Sequence, residues 1–135
     1  MPFVLDASVA ACWALADGED PVAEQAMQRM GSDTAVVPHL WWFEIRNILV
    51  INERRGRIVV EATTAFLRLL AKLRIAEDHG PQDDAVLAFA RRHHLTVYDA
   101  AYLELARRTG TAFATLDRQL GAAATAEGVK LIGSA

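Results

Sequence analysis

The sequence predicts an α/β domain in which a mainly parallel central sheet is covered by helices on both faces. Two observations carry this reading. Short apolar runs recur along the chain: Phe3-Val4-Leu5, Ala35-Val36-Val37, Phe113-Ala114-Thr115-Leu116 and Val129-Lys130-Leu131-Ile132. Longer segments with apolar residues at helical spacing separate them, most clearly Ala62, Ala65, Phe66, Leu69, Leu70 and Leu73. At 135 residues and 53% hydrophobic, the chain is expected to form one domain, 1–135, with a core that needs neither disulfides nor structural zinc.

The elements follow in order. Phe3-Val4-Leu5 reads as a buried strand stopped by Asp6, and Asp6 or Ser8 then caps a helix running to about Ala16. Asp17-Gly18-Glu19-Asp20 is a turn, and Pro21 opens a second helix to about Met30. Thr34 to Pro38 forms the second strand. A long helix follows from about Leu40 to Arg55, with Gly56 suited to its C-terminal cap, and another from Val60 to Leu73. Arg74-Ile75-Ala76-Glu77 is a short third strand. Pro81 begins a helix to about His93, and Tyr98-Asp99 begins one that stops at Gly110. Thr111 to Leu116 is the fourth strand, ending at Asp117. A small Ala-rich helix to Glu127 and a last strand, Val129 to Ile132, complete the chain.

Composition narrows the function classes. The single cysteine, Cys12, cannot form an internal disulfide and lies in an apolar run, as a small buried hydrophobe does. No stretch has the length of a membrane span, and the N-terminus lacks the basic start of a secretion signal, so a cytoplasmic protein is expected. The formal net charge of −3 argues mildly against nucleic-acid binding. Two bound divalent cations would reverse that sign. The charge is also uneven: Arg54, Arg55, Arg57, Arg68, Lys72 and Arg74 fall in a stretch whose one acid is Glu61.

In an open parallel sheet, ligands bind beyond the carboxyl ends of the strands. Asp6 and Asp117 follow predicted strands, and Asp99 stands at a predicted helix start. Each is also explained as a helix cap, the commonest use of aspartate at such a position. Glu44 resists that explanation. It lies among Leu40, Trp41, Trp42, Phe43, Ile45, Ile48, Leu49, Val50 and Ile51, and a carboxylate there needs a partner to offset desolvation. Arg46 does not share its helix face, whereas Asn47 at i+3 does. The partner is then a distant arginine, solvent or a metal ion. Carboxylates converging without Cys or His would suit a hard cation, Mg²⁺ or Mn²⁺, and through it phosphodiester hydrolysis. His39, His79, His93 and His94 need no catalytic role.

Four signatures resemble the PIN-domain family, and within it the VapC-like toxins of bacterial toxin–antitoxin pairs. They are Val4-Leu5-Asp6-Ala7-Ser8, Trp42-Phe43-Glu44-Ile45-Arg46-Asn47, Tyr98-Asp99-Ala100-Ala101-Tyr102 and Ala114-Thr115-Leu116-Asp117, in family order across nearly the whole chain. The resemblance implies a three-layer α/β/α sandwich. It implies that Asp6, Glu44, Asp99 and Asp117 bind Mg²⁺ or Mn²⁺ and are catalytic, with Ser8, Asn47 and Thr115 in support. It implies an endoribonuclease acting on a structured RNA such as a transfer RNA, a VapB-like antitoxin that covers the site, and a homodimer. Arg54, Arg55 and Arg57 are the candidates for holding the RNA backbone, each taken alone better explained as a solvated helix end, and Arg118, next to Asp117, is placed to reach a phosphate or to pair with an acid. Two further readings share the layering. A receiver-like phospho-acceptor domain typically places a lysine just beyond a late strand, but Lys130 lies inside one. A non-catalytic module of the same fold would not need the intact acidic set. Carboxylates alone do not distinguish RNA from DNA.

Overall fold

Phe3, Val4 and Leu5 are wholly shielded from water, which fixes their run as the innermost strand. Burying side chains of this size contributes about 1.5–3 kcal/mol each. The computed structural model of the chain describes residues 1–15 and 20–133. Its strands are β1 (Phe3–Leu5), β2 (Ala35–Pro38), β3 (Ile75–Asp78) and β4 (Ala112–Ala114). All pair in parallel in the order β3-β2-β1-β4, with Phe3 opposite Ala35 on one side and Ala112 on the other.

The helices are α1 (Ala7–Cys12), α2 (Pro21–Arg29), α3 (Leu40–Arg54), α4 (Val60–Leu70), α5 (Asp83–His93), α6 (Val97–Thr109) and α7 (Arg118–Ala126). The connections β1–β2 and β2–β3 move across the sheet in one direction, and β3–β4 returns in the other. Right-handed crossovers therefore put α1 to α4 on one face and α5 and α6 on the opposite one. The packing agrees: α1 lies on α2 and α3, while α6 covers β1 and β2 and touches α5 and α7. The expected parallel sheet between two helical layers is thus present.

Several boundaries differ from the sequence reading. The first helix ends at Cys12 rather than near Ala16, and the turn at Asp17-Gly18-Glu19 lies outside the described residues, as does Ala16 itself. Asp20 caps α2, accepting from Val22 N at 2.8 Å. Helix α4 stops at Leu70 because the chain must turn to place Arg74 O on Ala35 N, at 2.9 Å, and start β3. Helix α5 starts at Asp83, two residues beyond Pro81. The expected last strand is reduced to a bridge between Leu131 and Phe113. Gly128 and Gly133, at φ +79° and +81°, bracket the segment and leave too few extended residues for a ladder.

Candidate active site

Strand connections leave β1 and β4 in opposite lateral directions, so the crevice at their carboxyl ends is the topological switch point of the sheet. Asp6 and Asp117 both stand there. Asp6 N bonds Ala114 O at 3.0 Å, prolonging the ladder by one residue and fixing the start of α1. The Asp6 carboxylate accepts from Thr115 Oγ1 at 2.7 Å, Ser8 Oγ at 3.1 Å and, weakly, Ser8 N at 3.4 Å. Thr115 Oγ1 in turn accepts from Asp117 N at 3.1 Å, and Ser8 Oγ from Leu116 N at 3.4 Å. Two hydroxyls therefore tie the ends of β1 and β4 together and orient Asp6. Asp117 caps α7, its Oδ1 accepting from Leu120 N at 3.0 Å while its other oxygen has no such bond.

Glu44 reaches the same place from α3. Buried Trp41, Ile45, Leu49 and Asn52 set the helix's inner face, and Glu44 lies half-buried beside it. Its partner is neither an arginine nor solvent alone: Tyr102 Oη donates to Glu44 Oε1 at 2.5 Å. Tyr102 is fully buried and stacks on Phe113 with ring centroids 6.0 Å apart. Arg46 is directed elsewhere, over the Trp42 ring at 3.7 Å and onto Trp42 O at 3.1 Å. Asp99 is not the cap of α6. Thr96 is, accepting from Asp99 N at 3.1 Å, which frees the half-buried Asp99 carboxylate within the first turn.

Asp6, Glu44 and Asp99 each feel the charge of neighbouring acids. Burial pushes the Asp6 carboxyl above its ordinary range, partly offset by Thr115 and Ser8, and Asp117 adds repulsion. Burial likewise raises Glu44 against the opposing Tyr102 bond, with repulsion from Asp6 and Asp99. Asp99 is raised by burial and then by Asp117 and Asp6. Among the described residues, no basic side chain forms an ion pair with any of the four. An all-oxygen donor set that is partly desolvated and, among the described residues, lacks an ion-pair partner is of the chemistry that suits a hard divalent cation, although its oxygens are not drawn within 4.8 Å of one another as those of His39, Glu77 and His79 are.

The other expected residues fall around this centre. Exposed Asn47 lines an open groove of about 500 Å³ with Phe43, Glu44, Arg46 and Val50. Arg54, Arg55 and Arg57 are exposed at the far end of α3 and form no ion pair among the described residues, and Arg54 stands about 15 Å along the helix from Glu44. Arg118 is exposed beside Asp117 and shares a shallow cleft with Thr115. Of the two tryptophans, Trp41 is core, while Trp42 is 43% exposed beside Phe43 at 60%. Sequence reasoning assigned no part to Tyr102 or Thr96. Both carry a signal: each lies three residues from Asp99, within one helical turn. It also passed over His39, Glu77 and His79, whose ligand-type atoms all lie within 4.8 Å of one another, apart from the four acids.

A four-stranded parallel sheet between two helical layers places this fold in a recognised class: the chain belongs to the PIN-domain family, whose model matches residues 3–126. Its relatives are VapC proteins. Over 124 residues it is 32% identical to Ribonuclease VapC3 of Pyrobaculum aerophilum, covering 89% of this chain and 92% of that protein. Over 83 residues it is 36% identical to Exonuclease VapC9 of the same organism, covering 61% of each. Among solved structures, PAE2754 from Pyrobaculum aerophilum superposes with a TM-score of 0.72 at 25% identity, covering 98% of this chain and 92% of that one. The fold is shared with VapC20 of Mycobacterium tuberculosis, described as a sarcin-ricin loop cleaving toxin, at a TM-score of 0.59 and 16% identity over 90% of this chain and 94% of that one. No helix among the described residues is long and apolar enough to cross a membrane.

Proposed function

We propose that this protein is a Mg²⁺- or Mn²⁺-dependent endoribonuclease toxin that hydrolyses phosphodiester bonds in a structured RNA such as a transfer RNA. The observation that carries the reading is geometric: Asp6, Glu44 and Asp99 are each withdrawn from water at the carboxyl end of the sheet with exposed Asp117 beside them, and among the described residues none of the four has an ion-pair partner. The names of the VapC relatives support nuclease chemistry. When bound, the cation polarises a phosphoryl oxygen and lowers the pKa of water at neutral pH.

The chain's own residues do the rest. Asp6, Glu44, Asp99 and Asp117 hold the cation. Thr115 and Ser8 fix the Asp6 carboxylate by donating to it, and Tyr102 fixes Glu44 in the same way. Asn47 presents an amide to the groove mouth. Arg118, Arg54, Arg55 and Arg57 hold RNA phosphates at increasing distance from the scissile bond. The exposed Phe43 and Val50 give the groove an apolar wall suited to a segment of a VapB-like antitoxin. A homodimer and a cytoplasmic setting complete the reading on family resemblance.

One relative is named an exonuclease, which favours a second reading in which RNA is degraded from its ends. A closed circular RNA separates the two. The proposed enzyme cuts the circle in Mg²⁺ or Mn²⁺, stops in EDTA, and is inactive as Asp99→Asn. An intact circle alongside degraded linear RNA supports the exonuclease. Metal-independent cutting, or full activity of the Asp99→Asn protein, refutes the proposed chemistry.

A further inference from the structure

The parallel register of β2 and β3 aligns Pro38 with Asp78. The next residue on each strand is a histidine, so His39 and His79 leave the sheet side by side at its carboxyl edge. Glu77 precedes His79 by two residues and so shares its face of the strand. The outcome is a convergence on one atom. His39 Nδ1 lies 3.2 Å from Glu77 Oε2, and His79 Nε2 lies 3.4 Å from the same oxygen. The two imidazoles are tilted by 45° at a centroid distance of 5.1 Å, and each brings a ring nitrogen toward the Glu77 carboxylate. Phe43 braces His39 edge-on at 5.8 Å.

We propose that His39, Glu77 and His79 form a second metal site, separate from the acidic cluster, that takes a transition-metal ion of the Zn²⁺ class through two imidazole nitrogens and one carboxylate oxygen. Tetrahedral coordination with bonds of about 2.1 Å spaces donor atoms about 3.4 Å apart, close to the two nitrogen–carboxylate separations already present, with the two nitrogens within 4.8 Å of each other. Two imidazoles with one carboxylate select borderline metals over Mg²⁺, whereas the all-carboxylate cluster has the opposite preference. With three protein ligands on exposed side chains, a fourth position stays open to water. The ion would clamp β3, which is an edge strand paired on one side only, to the entry of α3, five residues before Glu44. Arg46 lies near enough to influence Glu77, but its own contacts are with Trp42.

The test is Zn²⁺ binding to the full chain in excess Mg²⁺, measured by competition with a chromophoric chelator and by X-ray absorption at the zinc edge. One Zn²⁺ per chain is expected, with two imidazole nitrogens in its coordination shell. His39→Ala and His79→Ala should each weaken binding by at least about 100-fold, more than the loss of an outer partner of a metal ligand causes. Asp99→Asn should leave it unchanged. Both histidines are exposed, so the variants should keep the parent's far-UV circular dichroism. Zn²⁺ held equally well by His79→Ala, Zn²⁺ lost from Asp99→Asn, or no Zn²⁺ retained by the unaltered chain would each overturn the proposal.

Discussion

Replacing Tyr102 by Phe removes one oxygen and tests how the acidic cluster is held. The ring stays in place, because Tyr102 is fully buried and stacked on Phe113 at 21° between ring planes. What is lost is the 2.5 Å bond from the phenol to Glu44 Oε1. Burial, and then the charges of Asp6 and Glu44, push the Tyr102 phenol far above its ordinary value, so it remains a donor at every pH at which the protein works. Hydrogen bonds to charged groups are worth about 1.5–3 kcal/mol. Glu44 is half-buried, so water can replace part of the loss, and the metal-free variant should be destabilised by about 1–2 kcal/mol. For a domain of this size that lowers Tm by about 3–8 °C. The bond also favours the ionised form of Glu44, so its loss raises that carboxyl further. The acid limb of the pH–rate profile should then move to higher pH. Loss of an orienting outer partner typically costs about 10–100-fold in metal affinity. Cleavage of an RNA substrate titrated with Mg²⁺ should therefore show a midpoint raised by that factor, with most of the maximal rate recovered at saturation. An unchanged midpoint, or a rate that high Mg²⁺ does not restore, would refute the idea that Tyr102 acts by positioning Glu44.

Three further outcomes follow from the same electrostatics. Asp6, Glu44 and Asp99 have raised folded-state values, so their contribution to stability is present below the ordinary carboxylate range of about 4 and is lost as pH rises through the raised values. Asp33, Asp78 and Glu127 are lowered and act with the opposite sign, so the effect is read as a difference between proteins. Metal-free Asp6→Asn should match the parent near pH 4 and melt above it at pH 7, while excess Mg²⁺ reverses the order; a pH-independent difference in Tm would count against the cluster. In cleavage assays Asp6→Asn should lose at least about 100-fold, since a direct ligand matters more than an outer one. Finally, Arg108 donates to Glu104 at 2.7 and 3.0 Å and to Asp78 at 2.6 and 3.2 Å, and the Glu104 side chain is only 2% exposed. Arg108→Ala should cost about 2–4 kcal/mol by leaving a buried charge unpaired, and adding Glu104→Gln should recover part of it in urea denaturation; no recovery would place the loss in packing instead.

How much was legible in the sequence follows from which signals are local. Continuous apolar runs marked β1 and β2, and Pro21, Gly56 and Gly110 marked helix ends, because burial on both faces and backbone conformation act residue by residue. Gly110, at φ +64°, ends α6 where a left-handed residue is needed. Asp6 and Asp117 were readable as acids beyond strand ends, and the structure shows why the cap and site readings did not exclude one another: Asp117 caps α7 with one oxygen and leaves the other free of that bond. Glu44 was flagged as a desolvated carboxylate lacking a local partner. That its partner is a tyrosine 58 residues away was not readable, since only the packing of α6 over the sheet brings them together. For Asp99 the alternative of a helix cap stood open in the sequence because Thr96 lies three residues earlier and either could start a helix; the structure gives the cap to Thr96. The pairing of His39 with His79 depends on the β2–β3 register, which the sequence pattern of so short a third strand does not set.

The arrangement also explains why the fold can bear its own site. Withdrawing the Asp6, Glu44 and Asp99 carboxylates from water near one another opposes folding, and among the described residues no basic side chain forms an ion pair with them. The cost is confined to the strand ends, while a few residues inward Phe3, Val4, Leu5 and Phe113 are wholly buried and supply the opposing free energy. The hydroxyls of Ser8, Thr115 and Tyr102 reinforce that division. They lower the penalty at Asp6 and Glu44 through neutral donors, which orient the carboxylates without cancelling their charge. An arginine in any of those places would stabilise the metal-free protein more, but it would leave the cluster with less attraction for a cation. On the proposed function, the choice of hydroxyl over guanidinium at these three positions is what would keep the site's charge available to a divalent ion, as a set of ordinary surface ion pairs would not.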